Sequence, residues 1–173
     1  MTGSFDLTAP ERFTTGAIGE PGQRVFYVQG TEGGVTVTLK LEKTQVAALA
    51  QYLAELLADL PPVGDDDVPP EVDLIEPAIA EWVVGTIGVA VDEGRDRMVV
   101  TFQELRPEAP EGEADAADED ANLATFTITR AQALAFVRRA AELVAAGRPP
   151  CMLCGRPLDP EGHVCIKTNG HLH

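Results

Sequence analysis

The sequence predicts an α+β fold in which two similar βββα halves form a mainly antiparallel sheet with two packed helices. Three observations carry this reading. Short runs alternate apolar with polar residues, as half-buried strands do. Two longer runs repeat apolar residues at spacings of three and four, as amphipathic helices do. Thr38–Ala58 and Thr125–Ala145 also align without a gap at an offset of 87 (125 − 38), with seven of 21 positions identical. Gln45/Gln132, Glu55/Glu142 and Leu56/Leu143 are among the matches. A repeat of this kind reads as an internal duplication.

The elements follow in order. RFTTGAI (12–18) and RVFYVQ (24–29) flank GEPGQ, where Pro21-Gly22 suits the centre of a type II turn. VTVTLKLE (35–42) places Val35, Val37, Leu39 and Leu41 on one face, after a turn at Gly33-Gly34. A helix is expected from about Lys43 to Leu60, with Val46, Leu49, Leu53, Leu56, Leu57 and Leu60 as its apolar stripe and Pro61 as its stop. In the second half EWVVGTIGVAVD (81–92) and RMVVTFQEL (97–105) flank EGRD, a hairpin signal. ATFTIT (124–129) precedes a helix from about Arg130 to Ala146. Leu134, Phe136, Val137, Ala140, Ala141, Leu143 and Val144 are available to its buried side, and Gly147 is its stop. Trp82, the sole tryptophan, reads as a core residue.

These elements give a body of residues 1–147, with halves at about 10–60 and 79–147, and a tail of 148–173. Residues 59–77 carry five prolines and seven acids, and 106–121 carry two prolines and seven acids. Solvated acidic loops are therefore expected at 61–78 and 106–121, the second disordered.

Charge and composition exclude several classes. The net charge is −15, which disfavours DNA or RNA, since phosphate attraction needs clustered Lys and Arg. No 18-residue apolar run is present to span a membrane. MTGSFDLTAPERF lacks the basic-then-apolar pattern of a signal peptide, which points to the cytoplasm. There is no histidine before His163 and no serine except Ser4, so a Ser-His-Asp arrangement in the body is excluded. The turn at 16–24 is rich in glycine but lacks the Lys-Ser/Thr of a phosphate loop, and no helix follows it. Arg24 and Gln23 beside that turn remain candidate anion contacts, as do Arg95 and Arg97 at the other hairpin.

All three cysteines and all three histidines fall in the last 23 residues, CMLCGRPLDPEGHVCIKTNGHLH. Cys151 and Cys154 have the C-x-x-C spacing that lets two thiolates hold one metal across a turn, and Gly155 supplies backbone freedom for that turn. Cys165 is the third thiolate. The fourth ligand is His163 or His171, while His173 is terminal. Three thiolates, an imidazole and a divalent metal make a closed tetrahedral Cys₃His site. No position is left for water or substrate, so the site is structural, and Zn2+ fits sulfur-rich tetrahedral ligation. Two other readings compete. A thioredoxin-like C-x-x-C normally opens a helix, whereas this one follows Pro149-Pro150 and precedes Gly155-Arg156-Pro157. A catalytic zinc with an open position would need Asp159 or Glu161 as its local base.

GEPGQR (19–24), LEKTQVAAL (41–49), GRPPCMLCGRPLDPEGHVC (147–165) and Asn169-Gly170 together resemble a bacterial, mainly actinobacterial, domain-of-unknown-function family numbered 3090. The resemblance spans nearly the whole chain. It implies metal positions at Cys151, Cys154, His163 and Cys165, and brings no assigned activity. Met152 stands where that family typically has proline, and Ile166-Lys167 where it has Pro-Arg. His171 stands where the family commonly has tyrosine, which favours His163 as the fourth ligand.

The expected function is a zinc-binding, non-enzymatic adaptor or regulatory protein with a protein partner, and a homo-oligomer is allowed. The first alternative is an enzyme acting on an anionic small molecule where knuckle and body meet, using Arg24, Glu20 or Asp159. The second is weak nucleic-acid binding through the knuckle.

Overall fold

A computed structural model describes residues 3–20, 22–70, 72–106 and 121–146. Ten elements follow in chain order. They are β1 (Phe5–Leu7), β2 (Arg12–Ile18), β3 (Val25–Glu32), β4 (Val35–Leu41), α1 (Lys43–Ala58), a 3-10 turn (Asp65–Asp67), β5 (Val84–Asp92), β6 (Arg97–Glu104), β7 (Leu123–Ile128) and α2 (Arg130–Ala146). The fold is mixed α+β, and its sheets are mostly antiparallel. The single sheet expected from the sequence is two sheets, a three-stranded β2-β3-β4 and a four-stranded β1-β7-β6-β5.

The antiparallel meanders follow from their turns. Gly22 has φ 91° and the Gln23 amide donates to the Glu20 carbonyl at 2.9 Å, the geometry of a type II turn. Gly33 and Gly34 have φ 58° and 85°, and they close a two-residue hairpin whose flanking strands pair Glu32 with Val35. The second hairpin turns through Asp96, a non-glycine residue at φ 54°.

Two parallel contacts escape any reading based on hairpin lengths. β1 runs parallel to β7, with Phe5 opposite Ala124 and Leu7 opposite Phe126. Residues 81–83 run parallel to β4: the Glu81 amide donates to Thr38 O at 2.8 Å and the Lys40 amide to Trp82 O at 3.2 Å. The segment leading into β2 thus joins the sheet that contains β5, and the segment leading into β5 joins the sheet that contains β2. This exchange ties the two sheets into one body.

The core lies between the sheets and under the helices. Val28, Val37, Leu39, Val46, Leu53, Met98, Val100, Phe102, Phe126, Ile128 and Ala140 are buried. Phe13 packs on Phe126 at 5.3 Å and stacks on Phe136 of α2 at 5.1 Å, while Phe102 meets Phe126 edge-on at 5.7 Å. Trp82 is buried and its indole N–H donates to Gly3 O at 2.9 Å, so the sole tryptophan is a core residue as expected. In α2 the buried side is Ala133, Phe136 and Ala140, and Ala141 is exposed rather than buried.

Both helices start the same way. Thr129 Oγ1 accepts from the Gln132 amide, and Gln132 Oε1 accepts from the Thr129 amide, both at 3.0 Å. At α1, Gln45 Oε1 accepts from the Glu42 amide at 2.8 Å. The remaining amide donors of the two glutamines cross between units. Gln45 Nε2 donates to Val84 O and Gly85 O at the start of β5, and Gln132 Nε2 donates to Pro10 O just ahead of β2.

Candidate functional site

The expected metal ligands Cys151, Cys154, His163 and Cys165, and the alternative His171, lie outside the described residues. So do Asp159 and most of the acidic loop 106–121. Among the described residues, no group of three or more His, Cys, Asp or Glu side chains is placed to hold a metal ion. Gln23 and Glu20 are exposed and Arg24 is half-buried, all at the β2–β3 turn. At the other hairpin, Arg97 Nη1 donates to the carbonyls of Arg95 and Asp96, and Arg95 lies 3.9 Å from Asp92. Arg97 is therefore engaged in holding its own turn.

One cleft among the described residues is one the sequence did not single out. It encloses about 170 Å³ between β2, α2 and Pro69, Pro70 and Val72, and its polar walls include Arg12, Thr14, Gln132 and Arg139. Its geometry begins in the segment after α1, expected to be a solvated loop. That expectation is corrected for 72–75, which is docked on β2 and β3. Thr14 Oγ1 donates to Val72 O at 2.8 Å, and Arg12 Nη2 donates to Asp73 O at 2.6 Å. Gln29, buried in β3, grips both backbone groups of Ile75, its Nε2 donating to the carbonyl at 3.1 Å and its Oε1 accepting from the amide at 2.8 Å. Its amide also donates to Thr38 Oγ1 at 3.0 Å. Burying an amide side chain is costly unless its donors and acceptor are met, and here the strap meets them.

Arg139 closes this site from α2. Its Nε donates to Thr15 O on the edge of β2 at 3.3 Å, and its Nη2 pairs with Asp73 Oδ1 at 3.0 Å. Arg138 pairs with Asp65 at 3.0 Å, but both side chains are largely solvated, so that pair contributes little. Arg130, at the start of α2, binds Asp96 at 2.8 Å and also donates to Pro61 O. The Arg130 guanidinium holds the Asp96 carboxyl below its ordinary range, and Asp96 in turn raises Arg130. Arg139 thus fastens the strap, and Arg130 ties the second hairpin to the chain leaving α1. Arg12 and Arg139 face the cleft, yet both donate to the strap, so the arrangement is first a clamp and only secondarily an anion-attracting wall.

The only sequence signals for this clamp were paired prolines beside acids, and arginine at 139 where the ungapped alignment at offset 87 has Tyr52. Neither says what the segment touches.

The described part of the chain is thus a two-sheet α+β body with a strapped groove. The family model described as "Protein of unknown function (DUF3090)" matches residues 5–165, and the chain belongs to that family. No curated protein and no solved structure matches it. Among the described residues no helix is long and apolar enough to cross a membrane.

Proposed function

We propose that this is a zinc-binding, non-enzymatic adaptor or regulatory protein of the cytoplasm, whose tail carries a structural Zn2+ on Cys151, Cys154, His163 and Cys165. One observation carries the reading: every cysteine and histidine of a 173-residue chain lies between 151 and 173. The donor set supports zinc, because three thiolates and an imidazole saturate a tetrahedral ion. The makeup of the body supports the adaptor role, since residues 1–150 hold neither histidine nor cysteine and only one serine, Ser4.

The two βββα units are read as products of an internal duplication. The ungapped offset of 87 supports this, as does the reciprocal use of Gln45 and Gln132. The role is tested by capturing the tagged chain and its Cys151→Ser/Cys154→Ser variant from the native cell, with metal measured on both. The reading expects a partner bound by the zinc-loaded wild type and lost from the metal-free variant. Identical capture by both, or no partner for either, would overturn the adaptor role.

A further inference from the structure

β2 and β5 occupy corresponding places, yet their surroundings differ. Strand register pairs Ala17 with Phe26 and Phe26 with Leu41 in one sheet, and Val91 with Met98 and Met98 with Ile128 in the other. Phe13 therefore corresponds to Ile87 (13 + 74), Thr14 to Gly88 and Gly16 to Ala90. On β2, Phe13 through Gly16 are buried on both faces. On β5, Thr86, Gly88 and Ala90 are exposed. The strap makes the difference. A Cβ placed on Gly16 would sit 2.5 Å from Leu74, whereas one on Gly88 meets nothing within 4 Å.

The groove beside each strand shows the same contrast. The α2–β2 groove has the strap as one wall. The α1–β5 groove is wider, about 320 Å³, and is lined by Ala48, Leu49, Tyr52, Ile87 and Val89 between Gln45 and Gly85. Gln45, Ala48 and Tyr52 correspond to Gln132, Ala135 and Arg139 of the strapped groove (offset 87). Tyr52 is 46% exposed. Apolar walls left in water cost free energy that a covering segment recovers.

The strap is the chain that follows α1, entered through Pro61-Pro62. The chain that follows α2 enters through Pro149-Pro150, and at an offset of 88 the two segments share three prolines, Pro61/Pro149, Pro62/Pro150 and Pro69/Pro157, and keep an acid at Glu71/Asp159 and Asp73/Glu161. The strap reaches Val72 within 14 residues of Ala58 (72 − 58), and 27 residues follow Ala146 (173 − 146). The tail thus has the length, the proline spacing and the corresponding point of departure to serve the second groove.

We propose that residues 149–163 dock in the α1–β5 groove and across the outer face of β5, as residues 61–75 do at β2. The occupant is this chain's own tail, and docking brings the cysteine-rich segment against α1. The contact rests on the groove and the strap correspondence, not on the metal.

The test places the photocross-linker p-benzoylphenylalanine at position 52 of the full-length chain, followed by proteolysis and mass spectrometry of the monomer band. The expected product joins position 52 to a peptide within 149–165 of the same molecule. Cross-links only between two copies, only to another protein, or none at all overturn the proposal. Hydrogen exchange on the unmodified chain is the second reading. Ile87→Asp should speed exchange of amides 151–163 by about tenfold or more while β3 and β6 stay protected. Unchanged tail exchange would also overturn it. Metal content is measured on the same samples. A zinc-loaded tail that never meets position 52 rejects the docking alone, and a zinc-free tail that does meet it rejects the metal site alone.

Discussion

Gly30 shows how much a single position decides. It lies in β3, and a Cβ built on it would sit 2.4 Å from the Phe126 ring, itself fully buried. Only glycine lets that ring lie against the strand. Gly30→Ala should destabilise the fold by about 1–3 kcal/mol, read from the denaturant midpoint at constant slope, because the ring has no room to retreat. An unchanged midpoint would mean that the ring packs elsewhere. Asp96 makes the second case. Its folded pKa lies below the unfolded one, so its stabilising effect is full above the ordinary value of about 3.9 and fades as pH falls through the lower folded value. Asp96→Asn, which still tolerates positive φ, should lower stability at pH 7 by a small amount, the carboxylate being exposed, and this deficit should vanish as pH falls below about 4, which flattens the acid limb of the stability curve. Acid limbs that superimpose would contradict the pairing with Arg130. Trp82, Gly22 and the Gly33-Gly34 pair were legible as single residues because each obeys a local rule. Gly30 and Gly16 were not, since a strand glycine announces a close approach without naming what approaches.

At the scale of elements, the two helix-capping glutamines do more than cap. Gln132 fixes the start of α2 and holds the chain entering β2, while Gln45 does the same for α1 and β5. Gln132→Glu keeps the oxygen that caps Thr129 but loses the donor to Pro10 O, so it should cost about 1 kcal/mol, and Gln132→Ala about 1–2 kcal/mol. A Gln132→Glu variant as stable as the wild type would mean that the bond to Pro10 contributes nothing, and equal stability of the two variants that the cap on Thr129 contributes nothing. Strand and helix positions were legible to within a few residues, because alternation and three-four spacing are local. The segment after α1 was misread for a physical reason. Its prolines and acids predict solvation, but its backbone groups at Val72, Asp73 and Ile75 are what β2, β3 and Arg12 bind. Composition reports side chains, and this contact is made mainly by main chain.

For the whole molecule, the sequence supported the α+β class and the two helices of the described residues, while the division into two sheets was out of its reach. β1 pairs with β7 across more than a hundred residues, and residues 81–83 pair with β4. Nothing in the three residues Phe5–Leu7 signals so distant a partner. Hairpin lengths suggested one meandering sheet, whereas β2-β3-β4 and β1-β7-β6-β5 are two, tied together by the exchanged leading segments. The candidate metal site was legible only as a donor set, since ligand spacing is a sequence property and its surroundings are not. Buried aromatics and the clamped segment after α1 hold the described body together, and the zinc proposed for the tail is a separate claim with its own test. The decisive measurement is elemental analysis of the purified native chain, with thiol titration before and after chelation. The account predicts one zinc per chain and three thiols that react only after the metal is removed. Less than half an equivalent of metal, with all three thiols reacting at once, would contradict it.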